Sequence, residues 1–250
     1  MQSFRVWWRR TRARHATTKS AKRPLTLHEA IYECLQGARK HWDETVDICV
    51  RLNVDPRRAD HQIRGMLSYP AGTPRIANVT VFTTVAAAVK EALEAGAAHA
   101  GGADLVEAVR GDSVEVERAV ATPDALPLLS RVARQLGPRG LMPSPKTGTV
   151  GEDVRELVHF ARVAVPFHAD PAGQVHAPVG KVSFGVPRLA QNVCALMERL
   201  LQLRPESVRK KYVMAAVLSR TQGPGVAVAP RALTEALLEM EMQRQAAANE

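Results

Sequence analysis

A cation, a hydroxyl, an imidazole and an aromatic ring lie close together in the segment HAPVGKVSF, residues 176–184. Lys181 carries a charge that can neutralise a phosphate, while Ser183 and His176 carry groups that exchange hydrogen bonds. Phe184 adds a ring face on which a base or a sugar can pack. Each residue is ordinary when taken singly. Together they form a candidate set of contacts for RNA.

The stretch LGPRGLMPSPKTGTVG, residues 136–151, is rich in glycine and proline, which determine backbone conformation. Its glycines allow positive φ angles and its prolines fix φ and remove amide donors. Arg139 and Lys146 place two cations on it without a carboxylate. A rigid turn assembly that meets an anion through side chains and amides is one interpretation. A long connection between two elements is the other, since Gly and Pro occur in loops generally.

Enzyme motifs are incomplete in this chain. Residues 179–182, VGKV, suggest a P-loop, but the first glycine of that motif would fall at Val175, and Val182 replaces the hydroxyl residue that holds magnesium. No G-x-G-x-x-G follows a predicted strand, and no G-x-S-x-G or H-E-x-x-H occurs. We therefore predict no catalytic site, no metal, no cofactor and no small-molecule substrate. A nucleotide-dependent enzyme that uses the middle of the chain is the alternative from a different class.

The apolar content and the cysteines indicate a chain with a buried core. At 46% apolar residues the chain can bury one, and no apolar run approaches the roughly 18 residues that cross a bilayer, so we expect no membrane partner. Cys34, Cys49 and Cys194 show no C-x-x-C spacing and lie in apolar periodic segments. They are predicted to be core thiols in a reducing compartment and not zinc ligands.

Positive charge is concentrated in two segments. Residues 162–229 hold nine basic and three acidic residues, so we expect a polyanion to bind to this segment. Residues 1–23 hold eight basic residues and no acidic one. This segment also contains Ser and Thr and has Phe4, Trp7 and Trp8 on its apolar side, which is typical of an organellar transit peptide. A basic RNA-binding arm is the competing interpretation.

Hydrophobic periodicity predicts the elements that must position the chemistry. Thr26 and Glu29 form a capping box at the start of a helix over residues 27–40. Period-2 alternation predicts a strand over residues 46–52. Further strands are predicted at 62–69, 78–83, 118–121, 162–168, 174–176 and 212–219. Further helices are predicted at 85–95, 103–110, 124–136 and 152–161 and from Pro187 onward.

The order of these elements predicts a mixed fold, α/β and α+β, in two domains. Residues 24–69 and 162–229 are each too small to bury a core comfortably, so they are predicted to combine into one discontinuous α+β domain. Residues 70–161 alternate strands and helices, which predicts an inserted Rossmann-like α/β domain with parallel strands. The hinge is expected near residues 69–71 and 161–165. Asp170, Pro171 and Gly173 predict a hairpin turn.

Residues 230–250 are predicted to form a C-terminal helical extension. Leu233, Ala236, Leu237 and Met240 recur at helical spacing. Because the tail has two basic and four acidic residues, we expect it to pack on its own first domain or on a neighbouring protein, and not on RNA. A frayed, solvated tail is the alternative.

Four collinear segments resemble the universal large-subunit ribosomal protein one family, whose members belong to the mobile stalk beside the tRNA exit site. They are residues 43–65 (DETVDICVRLNVDPRRADHQIRG), 136–151, 175–184 (VHAPVGKVSF) and 210–225 (KKYVMAAVLSRTQGPG). The resemblance covers about residues 25–228 and leaves both ends outside it.

This resemblance implies a structural constituent of the large ribosomal subunit that binds stalk rRNA and assists release of deacylated tRNA from the exit site during translation. Its implied partners are the stalk rRNA, exit-site tRNA and other large-subunit ribosomal proteins. A translational repressor that binds its own message would use the same RNA face. Together with the N-terminal segment, the resemblance places the protein in a mitochondrial ribosome, with the plastid as the alternative.

The family's S-T-M-G-P-G loop is matched in part. Thr221, Gly223 and Gly225 correspond to the threonine and to the glycines whose backbone approaches RNA closely in the family. Arg220 replaces the Ser and Gln222 replaces the Met, which exchanges an apolar contact for a cation and an amide.

Trp42 stands where the family more often has Phe. Either ring can stack on a base, and a core residue that ends a helix is the alternative. The residues predicted to bind RNA are Trp42, Glu44, Arg64, His176, Lys181, Ser183, Phe184, Arg220, Thr221, Gln222, Gly223 and Gly225.

Overall fold

The computed structural model describes residues 25–38, 41–208 and 211–248. The predicted transit segment, residues 1–23, lies outside the described residues. The helices are α1 (Leu27–Leu35), α2 (Ala86–Glu94), α3 (Ala103–Arg110), α4 (Leu126–Leu129), α5 (Ala133–Leu136), α6 (Val154–Val163), α7 (Gly185–Gln202) and α8 (Pro230–Ala248). The strands are β1 (Thr45–Leu52), β2 (Arg64–Leu67), β3 (Val79–Phe82), β4 (His99–Gly101), β5 (Arg118–Ala121), β6 (Val165–His168), β7 (Gln174–Lys181), β8 (Val213–Arg220) and β9 (Val226–Val228).

An antiparallel four-stranded sheet, in the order β7-β1-β8-β9, organises the larger part of the chain. The alternation in β1 buries Val46, Ile48 and Val50, as predicted, in one core cluster with residues of α1 and α7. The intervening residues of β1 lie on the opposite face, because successive side chains of a strand point to opposite sides. The sheet therefore has one apolar face in the core and one outer face.

The start of α1 is as predicted and its end is not. Thr26 Oγ1 accepts a hydrogen bond from the Glu29 amide, and the Glu29 carboxylate accepts one from the Thr26 amide, which confirms the capping box. The helix ends at Leu35 rather than at residue 40, and Gly37 turns the chain with a φ of 77°. The predicted residues 39 and 40 lie outside the described part of the chain.

A parallel three-stranded sheet, in the order β4-β3-β5, organises residues 77–163. Val79 and Val81 pack with α2 and α6 on one face, while Phe82 packs with α3 and α5 on the other. Burial on both faces is usual for parallel sheets, whose crossover helices cover both sides. The mixed α/β fold is thereby confirmed, and the Rossmann-like assignment and the domain boundaries stay predictions.

Two parts of this region differ from the prediction. β4 was not predicted, because its three residues carry no apolar run. The predicted helix at 124–136 is broken into α4 and α5 by a 3₁₀ turn at Ser130–Val132. The hydroxyl of Ser130 donates to the Pro127 carbonyl, a local bond that competes with continuation of the helix.

The predicted hairpin at Asp170 forms its turn and one antiparallel bridge, between Ala169 and Val175, and extends no further. The Gly173 amide donates to the Asp170 carbonyl at 2.8 Å, and the Asp170 amide donates to the Gln174 carbonyl at 2.7 Å. The two strands then diverge, since β6 pairs with β2 while β7 pairs with β1. β7 accordingly extends beyond the predicted residue 176 to Lys181, because β1 supplies a partner along its whole length.

The buried side chain of Asn192 joins three segments where the chain leaves the four-stranded sheet. Its Oδ1 accepts a hydrogen bond from the Ala71 amide at 3.1 Å. Its Nδ2 donates to the carbonyl oxygens of Gly72 at 3.0 Å and Val179 at 2.7 Å. One amide group on α7 therefore fixes the start of the middle region against β7.

Helix α8 packs on the core of the four-stranded sheet. Leu233, Ala236 and Leu237 are buried there, and Met240 packs partly against the same cluster. Leu238 lies on the exposed face of the helix. Among the described helices, none combines the length and the apolar composition needed to cross a bilayer.

Adjacent leucines of α8 provide a test of this packing. Leu237 is 6% exposed and Leu238 is 59% exposed. We expect Leu237→Ala to lower the free energy of unfolding by about 2 kcal/mol in urea denaturation, because it removes buried methyl groups and leaves a cavity. The matched variant Leu238→Ala should change it by less than about 0.5 kcal/mol. Equal effects of the two variants would contradict the observed seating of α8.

Candidate nucleic-acid interface

Three chain segments meet at one end of the four-stranded sheet. Antiparallel pairing sets Thr45, at the start of β1, opposite Lys181, at the end of β7. It also sets Val46 opposite Arg220, at the end of β8. We call residues 42–45, 181–184 and 220–225 together the sheet-end site. Ten residues predicted to bind RNA lie in it, which are Trp42, Glu44, Lys181, Ser183, Phe184, Arg220, Thr221, Gln222, Gly223 and Gly225.

Asp43, just before β1, and Thr45, the first residue of β1, hold the neighbouring segments in place. The Asp43 carboxylate accepts hydrogen bonds from the Ser183 amide at 3.0 Å and from its hydroxyl at 2.7 Å. The Thr45 amide donates to Thr221 Oγ1 at 3.1 Å, and the Thr221 amide donates to the Thr45 carbonyl at 3.0 Å. The sequence prediction missed Asp43 and Thr45. Their signal is a polar run directly before a buried strand.

Glu44 and Arg220 form an ion pair beneath the site. Arg220 Nη1 lies 3.3 Å from Glu44 Oε2, with side-chain exposures of 11% and 0%. Both residues were predicted to face RNA, whereas the structure turns their charged groups toward each other and away from solvent. The reason is physical, because a buried carboxylate needs a cation as its partner.

The other members of the sheet-end site differ in exposure. Trp42 is 50% exposed and lies outside α1, so it is not the core residue of the alternative interpretation. Thr221, Gln222 and Ser183 are exposed, and Lys181 is half-buried. Phe184 is also half-buried and packs partly against the core. An aromatic ring, hydroxyls, an amide and an amine therefore share one surface.

The side chain of Arg220 lies across Gly223. A Cβ atom at Gly223 would stand 2.3 Å from Arg220 Cγ, and one at Gly225 would stand 3.0 Å from Val217 Cγ1. The Gly223 amide donates to the Arg220 carbonyl at 2.9 Å and closes the turn. Side chains are therefore excluded at Gly223 by the path of Arg220.

His176 lies further along the outer face of the sheet, opposite Cys49. Its Nε2 is 3.5 Å from Asp170 Oδ2 and 3.8 Å from Cys49 Sγ. Cys34 and Cys194 are buried as predicted, but Cys49 is half-exposed on this outer face. No grouping of His, Cys, Asp and Glu among the described residues could hold a metal ion.

Arg64 is separate from the sheet-end site. It lies on β2 and, with Arg118 and Arg139, lines a cavity of about 440 Å³ between the β2–β6 ribbon and the loop at residues 136–151. Side-chain hydroxyl groups form hydrogen bonds within that loop. For example, Thr149 Oγ1 accepts a hydrogen bond from the Ser144 amide at 2.9 Å. The cavity beside the loop at residues 136–151, with Arg64 and Arg139, is therefore a different place from the sheet-end site with Lys181.

Burial perturbs one carboxyl group on the outer face of the sheet. It raises the pKa of Asp47 above the ordinary value of 3.8, and His176 partly opposes that rise. Burial and the charge of Asp47 also raise the pKa of Tyr69. The Tyr69 hydroxyl is buried and has no hydrogen-bond partner within the described part of the chain.

Comparison with known proteins gives one consistent result. A family model described as the ribosomal protein L1p/L10e family matches residues 34–224. The chain is 42% identical over 223 residues to "Large ribosomal subunit protein uL1" of Syntrophobacter fumaroxidans, which covers 89% of this chain and 94% of the relative. It is also 45% identical over 205 residues to the protein of the same name from Corynebacterium urealyticum, covering 79% and 86% respectively. These relatives are bacterial.

The raised pKa of Asp47 predicts a pH dependence of stability. The folded chain holds this proton more tightly than the unfolded chain, so the stabilisation is complete below the unfolded pKa and is lost as pH rises through the folded pKa. We expect the free energy of unfolding to fall over this range, starting near about pH 4, and Asp47→Asn to flatten the fall. Parallel curves for the parent and Asp47→Asn would contradict the prediction.

Proposed function

We propose that this chain binds the rRNA of the large-subunit stalk through the sheet-end site. The chain belongs to the ribosomal protein L1p/L10e family. It is a structural constituent of the ribosome and not an enzyme. The observation that carries this proposal is the convergence of three distant segments on one surface. Segments 42–45, 181–184 and 220–225 place ten of the predicted RNA-binding residues together.

The chemistry of this surface supports RNA as the ligand. Lys181 provides a cation for a phosphate. The exposed hydroxyls of Ser183 and Thr221 donate to Asp43 and to the Thr45 carbonyl, and their oxygens can still accept hydrogen bonds from sugar hydroxyls or base edges. The half-exposed ring of Trp42 can stack on an unpaired base. Residues 162–229, which supply two of the three segments, hold nine basic and three acidic residues. The segments that carry the specific contacts therefore belong to a part of the chain whose net charge attracts a polyanion.

The finer assignments extend this proposal. Residues 24–69 and 162–229 form the rRNA-binding domain, and residues 70–161 form an inserted domain that swings with the stalk. That movement assists release of deacylated tRNA from the exit site. Exit-site tRNA and other large-subunit ribosomal proteins are the further partners. The connection between the two regions at residues 71 and 72, held by Asn192, supports a hinge there.

The proposed location is the mitochondrion, with residues 1–23 as a transit peptide. In a plant cell, which contains both candidate organelles, we expect residues 1–30 fused to a fluorescent reporter to enter mitochondria. The same fusion with Arg9→Glu and Arg12→Glu should remain in the cytosol, because acidic residues are rare in transit peptides. Plastid import of the parent fusion would favour the alternative organelle. A cytosolic parent fusion would reject the transit peptide and favour a basic RNA-binding arm.

The RNA-binding surface is tested by two variants with matched controls. We expect Lys181→Ala to weaken binding to a stalk-rRNA fragment and to reduce the salt slope of log K by about 0.7 to 0.9, because one phosphate contact is lost. Thr221→Val should weaken binding about fivefold, while Thr221→Ser, which keeps the hydroxyl, should bind like the parent. Lys90→Ala, which removes an exposed lysine from α2, controls for net charge. Parent-like affinities and slopes for both Lys181→Ala and Thr221→Val would show that the assigned surface is mistaken.

A further inference from the structure

We propose that Arg220 is a positioning residue, which holds residues 221–225 in their RNA-binding conformation through its ion pair with Glu44 and does not itself contact phosphate. This inference rests on the proposed rRNA binding and deepens it. Arg220 is a charged residue within a basic RNA-binding surface. The role proposed for it does not depend on attraction between its charge and RNA.

The ion pair is enclosed. Arg220 Nη1 lies 3.3 Å and 3.4 Å from the two carboxylate oxygens of Glu44, so one nitrogen is shared between both acceptors. The Glu44 side chain is fully buried and the Arg220 side chain is 11% exposed. A phosphate would have to displace Glu44 to reach the guanidinium group. That displacement would break the ion pair between the buried Glu44 carboxylate and Arg220, which is unfavourable.

The rest of the Arg220 side chain is held by the backbone on two sides. A Cβ atom at Gly223 would stand 2.6 Å from Arg220 Nε, and one at Gly37, after α1, would stand 3.4 Å from Nη2. Arg220 Nε is buried and has no hydrogen-bond partner among the described residues. The guanidinium group is therefore enclosed by Glu44, the chain after α1 and the loop backbone at Gly223.

The ion pair connects the loop to the framework of the sheet. The Glu44 carbonyl accepts a hydrogen bond from the Val182 amide at 3.0 Å, so Glu44 is fixed to the end of β7 by its backbone. Its side chain holds Arg220 at the end of β8. The loop at residues 221–225 begins at the next residue and folds over the Arg220 side chain at Gly223. The position of Arg220 thus sets the path of the loop before RNA binds, and preorganised contacts bind more tightly than contacts that must be ordered.

The salt dependence of binding separates positioning from phosphate contact. With the full chain and a stalk-rRNA fragment, we expect Arg220→Gln to weaken binding about tenfold with the salt slope of the parent. Lys181→Ala in the same assay should reduce the slope by about 0.7 to 0.9, as a cation that meets phosphate does. Glu44→Gln should weaken binding to a similar extent. The double variant Glu44→Gln/Arg220→Gln should lose less affinity than the product of the single losses, because it leaves no buried charge without a partner.

Gly223→Ala gives a test that leaves every charge in place, should Arg220→Gln fail to fold. The added methyl group must displace Arg220, so we expect weaker binding with an unchanged salt slope and faster amide exchange at residues 221–225. A salt slope reduced by about one contact in folded Arg220→Gln, or parent-like binding by Gly223→Ala, would overturn the positioning role and leave the proposed function intact. A folded parent that does not bind the fragment would overturn the proposed function and this inference with it.

Discussion

Strand β1 can complete its backbone hydrogen bonds only with strands that the chain supplies much later. The start of β1 and the residue Asp43 before it make hydrogen bonds at the sheet-end site that join residues 176 and 140 positions apart. Because an unpaired buried backbone group is costly, neither edge of β1 can be left open in the core. The intervening chain must therefore return to the place where it left, and the pairing of β2 with β6 and the bonds of Asn192 lie at that return.

The same pairing connects the core to the candidate site. The register that buries Val46, Ile48 and Val50 also sets the start of β1 against the ends of β7 and β8. A slip of one residue would expose the apolar positions and separate the site residues at the same time. Packing energy in the core thus maintains the strand ends between which the polar contacts of the site form. Function at this end of the sheet depends on stability in the middle of it.

Sequence reasoning was most successful where a local signal fixes the structure. The capping box of α1 and the bounds of α3 and β5 follow from residues within the element. It was least successful where distant chain segments decide the outcome, as for the diverging strands β6 and β7. Within the site, the exposed Thr221 and Ser183 match their predicted positions on a surface. The inward direction of Arg220 could not be predicted, because it depends on a partner that lies 176 residues away.

Asn192 also restricts how the middle region can move. Its side chain holds Ala71 and Gly72 against β7, and Gly72 itself has a φ of 96° with open space where a side chain would be. At the returning crossing, the guanidinium of Arg118 donates to the Ala164 carbonyl. The first crossing is thus held against β7 of the four-stranded sheet, and the returning crossing is held to β5 of the middle region. At the proposed hinge, a small torsional change after Gly72 would displace the middle region in proportion to its distance from that residue.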